Sequence, residues 1–92
     1  MLMRNFCGME KIRCDNGREA ELFYYLLREQ CDGCESYGCE IVMHRDDEWE
    51  SASVRHVTTS AARMQMMTEQ LKRNTVTPCT LQETVLEELN KY

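Results

Sequence analysis

The chain has 92 residues, 42% of them hydrophobic and 29% charged, with 16 acids against 11 bases for a net charge of −5. That length holds one domain with one modest core, and the composition excludes disorder. Up to residue 58 there are 12 acids and 7 bases, so the acidic part lacks the basic footprint that direct DNA or RNA binding needs.

No stretch approaches the length of a membrane span, and Met1 to Glu10 lacks the apolar middle of a signal peptide. The expected location is a host bacterial cytoplasm, where thiols stay reduced. Six cysteines in that setting point to metal binding or packing before disulfides.

In chain order, residues 1–8 form an N-terminal segment with no assigned element. A short mixed strand over 9–14 leads to the turn signal Asp15-Asn16-Gly17. Residues 21–29 contain Leu22-Phe23-Tyr24-Tyr25-Leu26-Leu27, whose aromatic content predicts a strand. A turn at Asp32-Gly33 precedes Tyr37, Cys39, Ile41 and Met43, which alternate with Gly38, Glu40, Val42 and His44. That period of two predicts a strand with one apolar face. Asp46-Asp47-Glu48 reads as a polar turn, and Ser51 to Thr58 as the returning strand.

From residue 59 the pattern turns helical. Thr59 or Ser60 can cap a helix over 61–73, with Met64, Met67 and Leu71 on one side and Met66 nearer the surface. Asn74 suits a left-handed exit. Pro78 then opens a second helix, where Leu81, Val85 and Leu89 face the sheet. The expected fold is α+β: a small antiparallel sheet of three to four strands over 9–58, then two helices over 59–92 packed on one face.

The cysteines carry the sharpest chemical expectation. Cys31-Asp-Gly-Cys34 spaces two thiolates across a turn in the manner of a zinc knuckle. Strand order places Cys39 towards the same end of the sheet. The fourth ligand of a structural zinc is then Cys7 or His56, the latter lying roughly opposite Glu40, with Cys14 the poorest candidate. Against this stands plain packing, since buried cysteine is a small hydrophobe, and Cys79 reads as packing.

No nucleophile sits beside His44 or His56 in a recognisable motif, and no phosphate loop exists, so the chain is not expected to be an enzyme. Trp49, set among Asp46, Asp47, Glu48 and Glu50, is the candidate anchor for a basic protein partner. The alternative is a ring folded back over the sheet.

Tyr37-Gly38-Cys39-Glu40-Ile41, then Val54-Arg55-His56-Val57-Thr58-Thr59, then Asn74-Thr75-Val76-Thr77-Pro78-Cys79-Thr80-Leu81 resembles a family of short uncharacterised bacterial proteins. The likeness spans roughly residues 21–92 and rests on structural motifs. It implies the strand over 21–29 and brings no catalytic residues. Cys39 stands where that family tends to have an aliphatic residue, and the Cys31–Cys34 pair is not associated with it.

By size, acidity and cysteine content the chain also looks like phage-encoded anti-CRISPR proteins. That likeness implies a zinc-containing inhibitor that binds a type II CRISPR nuclease and hinders target DNA loading. The other reading is a non-enzymatic regulatory or structural module of the uncharacterised family.

Overall fold

Four consecutive stretches become strands in the computed structural model, which describes residues 1–90 apart from the side chain of Cys31. The strands are β1 (Leu2–Arg13), β2 (Glu19–Cys31), β3 (Cys34–Arg45) and β4 (Glu48–Thr58). They pair antiparallel in chain order, leaving β1 and β4 as free edges. The expected α+β architecture holds, with four strands and two C-terminal helices.

Tight turns fix the register. Asp32 and Gly33 (φ 50° and 80°) and then Asp46 and Asp47 (φ 50° and 65°) are the left-handed pairs that a two-residue hairpin needs. Tyr24 therefore stands opposite Ile41, which stands opposite Ala52. On that face Ala20, Leu22, Tyr24, Cys39, Ile41 and Met43 are buried.

Helix α1 (Ala61–Arg73) packs over all four strands, and helix α2 (Leu81–Leu89) packs on β4, both on this one face. Met64, Met67 and Leu71 from α1, with Leu81 and Val85 from α2, complete the core. Met66 is exposed, as the periodicity predicts. Ser60 is the cap of α1, its Oγ accepting from the Arg63 N–H at 3.2 Å.

Several boundaries differ from the sequence reading. The first strand begins at Leu2 rather than near residue 9, because β2 is long enough to pair with all of it. Pro78 opens a 3-10 turn, Pro78–Thr80, and the α-helix starts only at Leu81. Asn74 has φ −91°, and the left-handed residue at the end of α1 is Thr75, at φ 48°.

The reason lies in the hydrogen bonds. Val76 N–H reaches the Leu71 carbonyl and Thr75 N–H the Lys72 carbonyl, which closes the helix end one residue later. That closure delivers Val76 into the core, and its carbonyl accepts from the buried Tyr24 hydroxyl at 3.0 Å.

Two bulges interrupt the pairing, one in β1 between Phe6 and Gly8 and one in β4 facing Tyr37 to Cys39. The second brings the β4 backbone down onto Gly38. A Cβ there would collide with the Val54 carbonyl oxygen and approach the Arg55 Cα at 2.9 Å. Only glycine fits this crossing.

Candidate protein-docking face

Alternation sends half of each strand's side chains to the face that no helix covers. Phe6 comes from β1, Phe23 and Tyr25 from β2, Val42 and His44 from β3, and Trp49 from β4. The rings connect. Phe6 lies 5.6 Å from Tyr25, edge to face, and 6.5 Å from Phe23. Phe23 lies 6.3 Å from Trp49, whose indole stacks on His44 at 4.2 Å. An aromatic row thus crosses the whole sheet. Its two ends stand in the open, Phe6 at 59% and Trp49 at 65% exposure.

Charges flank the row in pairs. Arg4 lies over the Tyr25 ring at 4.3 Å and bonds Glu40 at 2.7 Å. His44 Nδ1 is 3.4 Å from Glu21. Arg55 grips Glu29, with its Nε at 2.9 Å, and this hydrogen bond holds the Glu29 carboxyl below the usual carboxylate range. His56, at φ 57° in the β4 bulge, turns towards the same carboxylate at 3.4 Å and meets Ser36 Oγ at 2.7 Å.

The face is close to neutral as a result. Arg4, Lys11, Arg13 and Arg55 stand against Glu19, Glu21, Glu29 and Glu40 on its outward positions. It offers phosphate no positive field.

Of the acidic group around the tryptophan, Asp46, Asp47, Glu48 and Glu50 are all exposed at one end of the sheet. Asp46 bonds Arg18 at 2.8 Å, which ties this tip to the neighbouring β1–β2 turn. A shallow hollow of about 240 Å³ lies beside Trp49, walled by Met43, Arg45, Glu48 and Glu50. The tryptophan ring rests on His44 at the edge of the open face, away from the buried core.

The described thiols lie at separate places in the fold. Cys39 is fully buried between Leu26 and Val54, and burial, with a smaller push from Cys7, raises its thiol pKa to about 12. Cys34 is exposed at the β2–β3 hairpin tip. The two lie five residues apart on one strand, a rise of about 16 Å, and on opposite faces.

Cys7 sits in the β1 bulge, partly buried against the core, and burial raises its thiol pKa too. Cys31 faces Cys34 across the turn by its backbone, while its side chain lies outside the described part. His56 is not opposite Glu40, which pairs with Ser53; the bulge carries it towards Ser36. Cys14 Sγ is 3.8 Å from an Arg45 guanidinium nitrogen, and Cys79 is exposed rather than packed.

Cys7, Cys34 and Cys39 therefore do not converge on one ion. Among the described residues no group of three or more His, Cys, Asp or Glu side chains is placed to hold a metal. Within the donor set expected for zinc, Cys34 and Cys39, about 16 Å apart along β3 and on opposite faces, do not share one ion.

The sequence reading singled out Trp49 but missed its companions. Phe23 and Tyr25 lie in an apolar run that fixes no period by itself, and Phe6 was hidden in a segment given no element. Among the described residues no helix is long and apolar enough to cross a membrane. No curated protein and no solved structure matches the chain. A family of unknown function, DUF6514, matches residues 3–91, nearly the whole sheet-and-helix unit, and the chain belongs to that family.

Proposed function

We propose that this chain is a non-enzymatic protein-binding module whose open sheet face, centred on Phe6, Phe23 and Trp49, receives the partner. The aromatic row carries this reading. Large rings left in water on one uncovered face weaken solubility, and contiguous patches of this kind mark interaction sites. Tryptophan and tyrosine held by stacking are good anchors because little side-chain freedom remains to lose.

The balanced charge of the face favours a protein surface over a phosphate backbone. At the β4 end, the exposed acids of the Asp46-Asp47 turn suit a partner's cationic side chain. A type II CRISPR nuclease, the partner implied by the chain's size and acidity, is one candidate for that role.

A photo-crosslinking residue placed at Val42, in the middle of the open face, tests the reading in the native host. It is expected to trap one dominant protein, and the adduct is expected to vanish when Trp49→Ala is added while the melting temperature holds. The same probe at Gln65 on α1 is the control. Equal trapping from both positions, or an adduct indifferent to Trp49→Ala, would exclude the face. Purified protein mixed with guide-loaded nucleases then tests the candidate partner, through the amount of target DNA loaded.

A further inference from the structure

We propose that His44 is a proton-operated clasp on Trp49, which tightens the docking face's hold on its own anchor residue as pH falls. The proposal rests on the reading of the open face as a docking surface and supplies its regulation.

Strand register assembles the device. Lys11 stands opposite Glu21, Glu21 opposite His44 and His44 opposite Trp49, one residue from each strand in a single row on the open face. The imidazole therefore lies between a carboxylate and an indole. Its Nδ1 is 3.4 Å from Glu21 Oε1, and its ring stacks on Trp49 with centroids 4.2 Å apart and planes 26° from parallel. The His44 side chain is 29% exposed, so water can deliver a proton to it. Histidine is the side chain that ordinarily changes charge between about pH 5 and 8.

A proton on this ring strengthens two contacts at once. The approach to Glu21 becomes an ion pair, and the stack becomes a cation–π contact with the indole face. Trp49 stands on the free edge strand, and its ring contacts are with His44 and Phe23. A firmer stack fixes the ring before the partner arrives. An anchor already fixed loses less freedom on docking, so the face is expected to bind more tightly at mildly acidic pH.

The surrounding charges leave this pairing intact. A hollow beside the imidazole is walled by Glu19, Glu21 and Asp46 against Lys11 and Arg45. Among the described residues, Glu21 is the acid that reaches the ring. Glu19 is drawn to Arg13, Asp46 is held by Arg18, and Arg45 reaches Cys14. Lys11, on β1, stands one strand further off, across Glu21. On β4, Glu48 and Glu50 alternate with Trp49 and so point away from the imidazole.

Trp49 is the single tryptophan, so its emission reports the clasp on the full chain without a label. From about pH 8 down to 5, emission is expected to fall in one step, because imidazolium quenches a touching indole more than imidazole does. Acrylamide access to the ring is expected to fall about twofold through the same step, the size of an exposed cation–π contact. His44→Phe keeps a ring that cannot titrate and is expected to abolish both changes, while His56→Gln leaves both in place.

Flat emission across the range would overturn the proposal. So would a step that survives in folded His44→Phe, or acrylamide access that holds or rises as pH falls. Should His44→Phe fail to fold, NMR of the unaltered chain decides instead. The Trp49 indole N–H signal is expected to move with the ring protons of His44, and movement with those of His56 would overturn the proposal. These readings need no partner, so failure of the clasp and failure of crosslinking from Val42 are separable.

Discussion

The two faces of this sheet come from one alternation and have opposite fates. On the inner face Leu22, Tyr24, Cys39 and Ile41 are sealed from solvent, because α1 and α2 of the same chain lie on them. On the outer face Phe6 and Trp49 remain more than half exposed, although the rings between them touch. Hydrophobicity alone does not separate the faces, since Phe23 is as apolar as Leu22 beside it. What separates them is that the chain supplies cover for only one. The inner face is finished by folding, and the outer face is left open.

The largest effect that could break this contrast compares Leu22→Ala with Trp49→Ala. Leu22 is 0% exposed, and its truncation should cost about 3 kcal/mol from lost transfer energy and a residual cavity. Trp49 rests on His44 in the open, and its removal should cost less than about 1 kcal/mol, on the scale of one aromatic pair. Urea unfolding of both variants is the measurement. Equal losses would mean that the outer row holds the fold together, and the division of labour would be lost.

A smaller effect sharpens the description of the inner face. Tyr24→Phe keeps the ring and deletes the hydroxyl that satisfies the Val76 carbonyl in the core. The expected loss is about 1 kcal/mol, with the same urea slope as the parent. Because Val76 is the residue that the Thr75 turn delivers inward, a loss near zero would mean that this turn is not coupled to the sheet.

Much of the architecture was legible because it depends on local chemistry. Asp32-Gly33 and Asp46-Asp47 announce hairpins through the backbone conformations they tolerate, and Leu81, Val85 and Leu89 announce a helix face by spacing. The bulges were not legible. Nothing in Asn5-Phe6-Cys7-Gly8 or Val54-Arg55-His56 marks an extra residue, yet each bulge shifts the pairing beyond it. That shift removed His56 from its expected place opposite Glu40 and put Cys7 at the core margin.

The expected closeness of Cys34 and Cys39 failed for a related reason. Cys34 and Cys39 were judged close by sharing one end of one strand. A strand rises about 3.3 Å per residue and reverses face at every odd step, so five residues separate them in both respects. Sequence proximity on a strand is real distance, unlike on a helix.

The smallest expected effect concerns charge, and it tests whether the outer face contributes to stability at all. Arg55 holds Glu29 ionised, so the folded carboxyl titrates below its ordinary 4.5. A carboxyl with a lowered folded pKa adds stability that is present above pH 4.5 and is lost as pH falls through the lower folded value. Glu29→Gln should therefore lower the urea midpoint at pH 7, converge with the parent in strong acid, and flatten the curve between. Added salt should shrink the difference at pH 7, because the pair lies at the surface. The inner face has no such dependence, since its buried side chains carry no charge in that range. Identical acid limbs for parent and variant would show the ion pair to be screened away, with no measurable share of the stability carried by it.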